Sequence, residues 1–90
     1  MGSSWDVRFY RSARRELRDI EDAKLREDIT ATILALAEDP IPPGSLELED
    51  AYHLYRIRIG GWRVVYALSE KERTVLITRV RPRGSAYVGL

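Results

Sequence analysis

The side chains in this sequence best placed to do chemistry are its arginines. Arg56 and Arg58 precede a Gly60-Gly61 pair, and Arg63 follows it. Arg79, Arg81 and Arg83 recur at alternate positions downstream, with Tyr87 four residues beyond the last. A two-residue glycine loop between the alternating runs YHLYRIRI (52–59) and WRVVYAL (62–68) predicts a hairpin in which paired residue numbers sum to 121. Ile59 then faces Trp62, Ile57 faces Val64 and Tyr55 faces Tyr66, giving one apolar surface. On the other surface Arg58 lies opposite Arg63, with Arg56 beside them. Like charges directly opposite in a sheet are destabilising, so a regular hairpin that sets them there marks a site. The simplest ligand for clustered guanidinium groups is phosphate, which they bind through paired N–H bonds. Because Arg63 lies on the polar surface, it is expected to be an exposed charge, removable by Arg63→Ala without loss of the fold.

The downstream arginines join the same surface if the third strand pairs with numbers that sum to about 142, which puts Arg79 on the Arg63 face. A slip of one residue would turn them to the other face. The rest of the chain offers less. His53 is the one side chain whose unperturbed pKa suits proton transfer near neutrality. Its parity matches Tyr55 and Ile57, which places it at the edge of the core, with proton transfer as the alternative role. Glu47, Glu49 and Asp50 are close in sequence, but no histidine or further carboxylate converges on them, so neither a metal nor a cofactor is expected. Arg14, Arg15 and Arg18 fit the exposed face of an amphipathic helix.

Several elements must position these residues. WDVRFY (5–10) alternates, with Trp5, Val7 and Phe9 on one side, and reads as a strand. Ser12 is the expected N-cap of a helix that runs to about Ile20 and carries an apolar stripe of Ala13, Leu17 and Ile20. Asp22 caps a second helix with the stripe Leu25, Ile29, Ile33, Leu36 and Ala37, which Asp39-Pro40 and Pro42-Pro43-Gly44 end. The one or two residues between the helices predict a tight αα-hairpin. Residues 46–51 fit a loop or a strand. After the glycine hairpin, SEKER (69–73) is a polar turn, and TVLITRVR (74–81) is a third long strand closed by Pro82. The reading is a single domain over 1–90 of the α+β class. A helical hairpin packs on one face of a small, mostly antiparallel, twisted sheet in the order β-α-α-β-β-β.

Composition bounds the function. The chain has 90 residues, 44% of them apolar, enough for one small core. It has no cysteine, which removes disulfides and thiolate metal sites. No apolar run reaches the length of a membrane span and no signal-peptide pattern opens the chain, so the expected location is cytoplasmic. The net charge of +1 hides a division. Residues 1–51 hold 7 Lys/Arg and 12 Asp/Glu, net −5, and residues 52–90 hold 8 and 2, net +6. Either the basic part meets a polyanion or the two halves attract each other.

With its element order, the central YRIRIGGWRVVYAL and the ending VRPRGSAY, the chain resembles the RelE/ParE superfamily of toxins from bacterial and archaeal toxin–antitoxin pairs, from about Trp5 to Tyr87. RelE-like toxins enter the ribosomal A site and cut the messenger RNA there. ParE-like toxins inhibit DNA gyrase and do no known chemistry of their own. The short helical hairpin, the basic residues at Arg56, Arg58 and Arg63, and Arg83 followed by Tyr87 are similar to the RelE branch. The resemblance implies a ribosome-dependent, metal-independent messenger RNA endoribonuclease in which Arg56, Arg58, Arg63, Arg83 and Tyr87 surround the scissile phosphate. Arg79 and Arg81 would bind RNA, and Arg81 competes with Arg83 for its role. In such an enzyme the ribose 2′-hydroxyl is the nucleophile. Arg63 and Arg83 would hold the transition-state phosphate, Arg58 would lie near the 2′-hydroxyl and Arg56 would grip the adjacent backbone. Tyr87 would stack on a base or orient the nucleophile. Well-known members carry lysine where this chain has Arg56 and Arg58. Arginine stays protonated, so orientation and charge stabilisation take the place of a conventional base. The implied partners are a cognate RelB-like antitoxin, the ribosome with its message, and operator DNA only through the antitoxin. A ParE-type gyrase inhibitor and an inactive RelE-fold binding module are the alternatives.

Overall fold

The computed structural model describes residues 4–48 and 53–82. The chain runs β1 (Asp6–Phe9), α1 (Arg11–Arg18), α2 (Ala23–Ala35), β2 (Leu46–Glu47), β3 (Leu54–Ile59), β4 (Trp62–Ser69) and β5 (Thr74–Pro82). The five strands form one sheet in the order β1-β5-β4-β3-β2, and the two helices cover one of its faces. All pairings are antiparallel except β1 with β5, which is parallel. The expected α+β architecture is present, with one added element: the ambiguous stretch after Gly44 contains the two-residue edge strand β2. Glu49, Asp50 and Tyr52 lie outside the described residues.

The glycine hairpin has the register that its sequence dictates. Tyr55 pairs with Tyr66, Ile57 with Val64, Arg58 with Arg63 and Ile59 with Trp62. Gly60 takes φ +60°, as the first loop position of a type II′ turn requires. Upstream, Gly44 (φ +95°) closes the Pro42–Ser45 turn, where the Ser45 amide donates to the Pro42 carbonyl at 3.0 Å.

The helices differ in how they begin. Asp22 caps α2 as expected, accepting from the Leu25 amide at 3.2 Å. Ser12 does not cap α1. The N-cap is Tyr10, with no side-chain cap bond. The cause is continuity with the sheet. The Tyr10 N–H still donates to the Ile77 carbonyl at 2.9 Å, while its own carbonyl already accepts from Arg14 at 3.0 Å. The strand therefore turns into the helix through Tyr10 alone, and Ser12 falls inside the first turn. Between the helices, Arg26 Nη1 donates to the Ile20 carbonyl at 2.6 Å and fastens the connection.

The core lies between the helices and the sheet. Ala13, Ile20, Ile29, Ile33 and Leu36 meet Ile57, Val64, Tyr66, Leu68, Val75, Ile77 and Val80, all buried. Leu17 and Leu25 are half-buried against this cluster. Tyr66 stacks on Tyr55 with ring centroids 5.8 Å apart, and its hydroxyl donates to the Pro40 carbonyl at 2.9 Å. Burial pushes the Tyr66 phenol up to about 12. Burial, then the Glu47 and Glu70 carboxylates, raise Tyr55 as well. Among the described residues no helix is long and apolar enough to cross a membrane.

Candidate anion-binding face

Successive side chains of a strand point to opposite faces, so register decides what the uncovered face presents. On β3 the helix side takes Tyr55, Ile57 and Ile59, which leaves Arg56 and Arg58 on the open side. On β4 it takes Trp62, Val64, Tyr66 and Leu68, which leaves Arg63 on the open side. On β5 the alternation breaks. Pairs near the turn sum to 143, as in Tyr66 with Ile77, whereas pairs near the other end sum to 144, as in Arg63 with Arg81 and Val65 with Arg79. The irregularity leaves Thr78 as the extra residue, and its hydroxyl donates to the Val65 carbonyl at 3.1 Å. The bulge lets Val75, Ile77 and Val80 all enter the core while Arg79 and Arg81 both emerge on the Arg63 face.

The arginines therefore assemble in two adjacent rows. Arg58, Arg63 and Arg81 form one across three strands, and Arg56 and Arg79 flank Val65 in the next. With strands about 4.8 Å apart, the three β-carbons of the first row span roughly 10 Å, on the scale of one or two phosphates. Two expectations are corrected in detail. Arg79 shares the Arg63 face, but the partner directly opposite Arg63 is Arg81, because the pairing sum is 144 and not 142. Arg63 itself is not an exposed charge: it is 2% exposed, in the middle strand of the five. A central position gives its stem neighbours on both sides and leaves the guanidinium little contact with water.

Arg58 is exposed, and Arg56 and Arg79 are half-buried. Arg81 is engaged. Its Nε donates to Glu16 Oε2 at 2.8 Å, while Glu16 Oε1 accepts from the Val80 amide, also at 2.8 Å. β1 pairs with β5 only from Thr74 to Ile77, so the β5 edge beyond that point needs another partner. Glu16 reaches around from α1 to supply it. No spacing in the sequence points to this contact. The one available signal was that Glu16 is the sole acid among the four arginines of α1.

The remaining candidates separate from the face. Arg83 and Tyr87 lie outside the described residues. His53 is exposed and takes φ +65°, which removes it from the strand parity that placed it at the core edge. It stands five residues from Arg58 along the chain, on the order of 16 Å in an extended segment, so it is remote from the Arg58–Arg63–Arg81 row. Arg14, Arg15 and Arg18 are exposed on α1, with Arg14 resting over the Phe9 ring at 5.6 Å. Among the described residues no three acidic or histidine side chains converge in the manner of a metal site. The face supplies guanidinium donors that suit an anion with several oxygens.

The comparisons with known proteins agree with this architecture. The family model for ParE toxins of the type II toxin–antitoxin system parDE matches residues 7–87. A Methanocaldococcus jannaschii protein that carries the toxin name RelE1 is 27% identical over 86 residues, covering 92% of this chain and 94% of its own length. Among solved structures, the RelE–RelB complex of Pyrococcus horikoshii OT3 is similar with a TM-score of 0.72 at 26% identity, covering 90% of this chain and 97% of that one. The isolated E. coli RelE toxin has a TM-score of 0.78 at 21% identity, covering 88% and 84%, and it supports the fold alone.

Proposed function

Because the chain belongs to the ParE toxin family of type II toxin–antitoxin systems and folds like RelE, we propose that it is a ribosome-dependent endoribonuclease that cuts messenger RNA in the A site. The observation that carries this reading is the Arg58–Arg63–Arg81 row, with Arg56 and Arg79 beside it, on a face that the helices leave open. In the proposed reaction the ribose 2′-oxygen attacks the adjacent phosphorus. The new O–P bond forms, the bond to the 5′-oxygen breaks, the 2′-hydroxyl proton passes to water while the departing 5′-oxygen takes one from water, and the products are a 2′,3′-cyclic phosphate and a 5′-hydroxyl. The guanidiniums neutralise the charge that builds on the non-bridging oxygens. Arg81 grips those oxygens while the withdrawn Arg63 guanidinium adds its charge from the middle of the row, with Arg83 and Tyr87 as further members of the site. Arg58 sits near the 2′-hydroxyl and Arg56 on the neighbouring backbone. The site offers guanidinium groups in place of a conventional base, so the ribosome supplies the bent, fixed message and the toxin supplies charge.

A cognate antitoxin is the expected protein partner, as in the RelE–RelB complex of Pyrococcus horikoshii OT3. An acidic or amphipathic antitoxin segment that covers the arginine face would silence it. Operator DNA is then reached only through that partner. The name of the matching family keeps a second reading in view, inhibition of DNA gyrase without chemistry. The helical hairpin, with helices of 8 and 13 residues, is short for that role. One experiment separates the readings. The protein is added to a translation reaction, messenger 5′-ends are mapped by primer extension, and a gyrase supercoiling assay runs in parallel. Codon-phased cuts are expected. Lost supercoiling without cuts selects the gyrase reading, and silence in both assays selects an inactive binding module.

A further inference from the structure

The Glu16 carboxylate occupies an unusual place for an acid, since it enters the edge of a face built from cations. Its side chain is 21% exposed and that of Arg81 is 33%, so the pair is partly withdrawn from water. Each carboxylate oxygen has its own donor at 2.8 Å, the Val80 amide and Arg81 Nε. Those donors are consecutive residues of β5, one on the backbone and one on the side chain. The acid therefore ties the guanidinium to the strand edge and fixes the direction from which it leaves the backbone. Engaging Nε leaves the terminal N–H groups of Arg81 for an anion. Arg81 is the residue directly opposite Arg63.

We propose that Glu16 is a positioning residue of the arginine face, and that it orients Arg81 for a phosphate of the RNA strand held across the Arg58–Arg63–Arg81 row. The inference rests on the RNA-cleaving reading and deepens it. A carboxylate near a polyanion site has an obvious electrostatic effect, which is to repel. Removing it raises the net charge by one and should then tighten RNA binding. Positioning predicts the opposite sign, because a released Arg81 swings away from the row it opposes by charge.

The test uses the free full-length chain with a short fluorescein-labelled single-stranded RNA, read by anisotropy over a salt series. The variants are Glu16→Gln, Arg81→Gln and the pair together. Glu16→Gln is expected to weaken binding despite the added charge. It should also reduce the slope of log affinity against log salt by about 0.7, the value of one phosphate contact on a single strand. Arg81→Gln should do the same, and the double variant should lose no more than either single one. In the ribosome assay Glu16→Gln should lower the cleavage rate about ten- to a hundredfold, the scale of a misplaced group. Thermal melts of each variant report any loss of the β5 edge contact. Tighter binding by Glu16→Gln with an unchanged slope overturns the proposal, as do losses that add in the double variant. If the wild type makes no cuts on the ribosome but the salt slopes behave as stated, the nuclease reading fails and the role of Glu16 in RNA binding stands.

Discussion

Replacing Arg63 by Met keeps most of the stem and deletes the guanidinium. Because Arg63 is 2% exposed, Ala at this position would empty space as well as remove charge, and a loss of activity could then be blamed on the fold. Keeping the stem avoids the packing loss, so that mainly the contacts of the guanidinium itself go with the charge. Arg63→Met is therefore expected to lower the melting temperature less than Arg63→Ala does, while ribosome-dependent cleavage falls by about 2–4 kcal/mol of transition-state stabilisation. A collapsed melt would assign the residue to structure. Tyr66 makes the complementary case on the other side of the sheet. Its folded-state phenol lies near 12, above the ordinary value of 10.0. The folded protein thus holds this proton more tightly than the unfolded chain does. The stability gained is complete below about pH 10 and is lost as pH rises towards 12, a change of about 2–3 kcal/mol. Urea midpoints measured between those pH values should show the decline. Tyr66→Phe should flatten it, at a cost of about 1 kcal/mol for the bond to the Pro40 carbonyl.

At the scale of elements, the two glycines of the hairpin are not equivalent. Gly60 takes φ +60° and Gly61 has no positive φ, and neither has a neighbour that an added methyl would strike. Gly60→Ala should cost about 1–2 kcal/mol of stability through backbone strain alone, and Gly61→Ala should change it little; thermal denaturation of the two variants tests the contrast. This hairpin was the most legible part of the sequence, because a two-residue loop leaves one register for everything on either side. The Asp22 cap and the Ile29–Ile33–Leu36 stripe were legible for the same reason: both are local. β5 was not. Its turn fixes no register, and its apolar residues Val75, Ile77 and Val80 change spacing from two to three at the point where the bulge lies. That change of spacing is the trace of Thr78 in the sequence. Strict alternation from Val75 and Ile77 would have turned Arg79 and Arg81 towards the core and Val80 out to the arginine face. The start of α1 at Tyr10 in place of Ser12 was not legible for a different reason, since the bond that holds Tyr10 to Ile77 comes from the far end of the chain.

For the whole molecule, the resemblance carried by YRIRIGGWRVVYAL and VRPRGSAY extends to the complete fold. The gathering of Arg56, Arg58, Arg63, Arg79 and Arg81 on one face follows from the hairpin together with the bulge. The opposed charge of the two halves takes a specific form in the Glu16–Arg81 pair, which joins an acid of the first half to a base of the second. The parallel pairing of β1 with β5 could not be read from either strand, because each is an ordinary alternating segment and the partners are separated by most of the chain. Removing β1 should be severe. Val7 and Phe9 pack against the core, and losing two such contacts, about 3–5 kcal/mol, approaches the whole stability of a domain this small. A variant that begins at Tyr10 is expected to lose its cooperative melt by circular dichroism.

The same pairing sets an order of events. A nascent chain that has not yet emerged as far as Thr74 has nowhere to dock its first strand, no partner for Arg63 on the β5 side, and no edge for Glu16 to hold. Until β5 has been made, the arginine face lacks one of its three strands, and whatever the arginines do together waits on that strand.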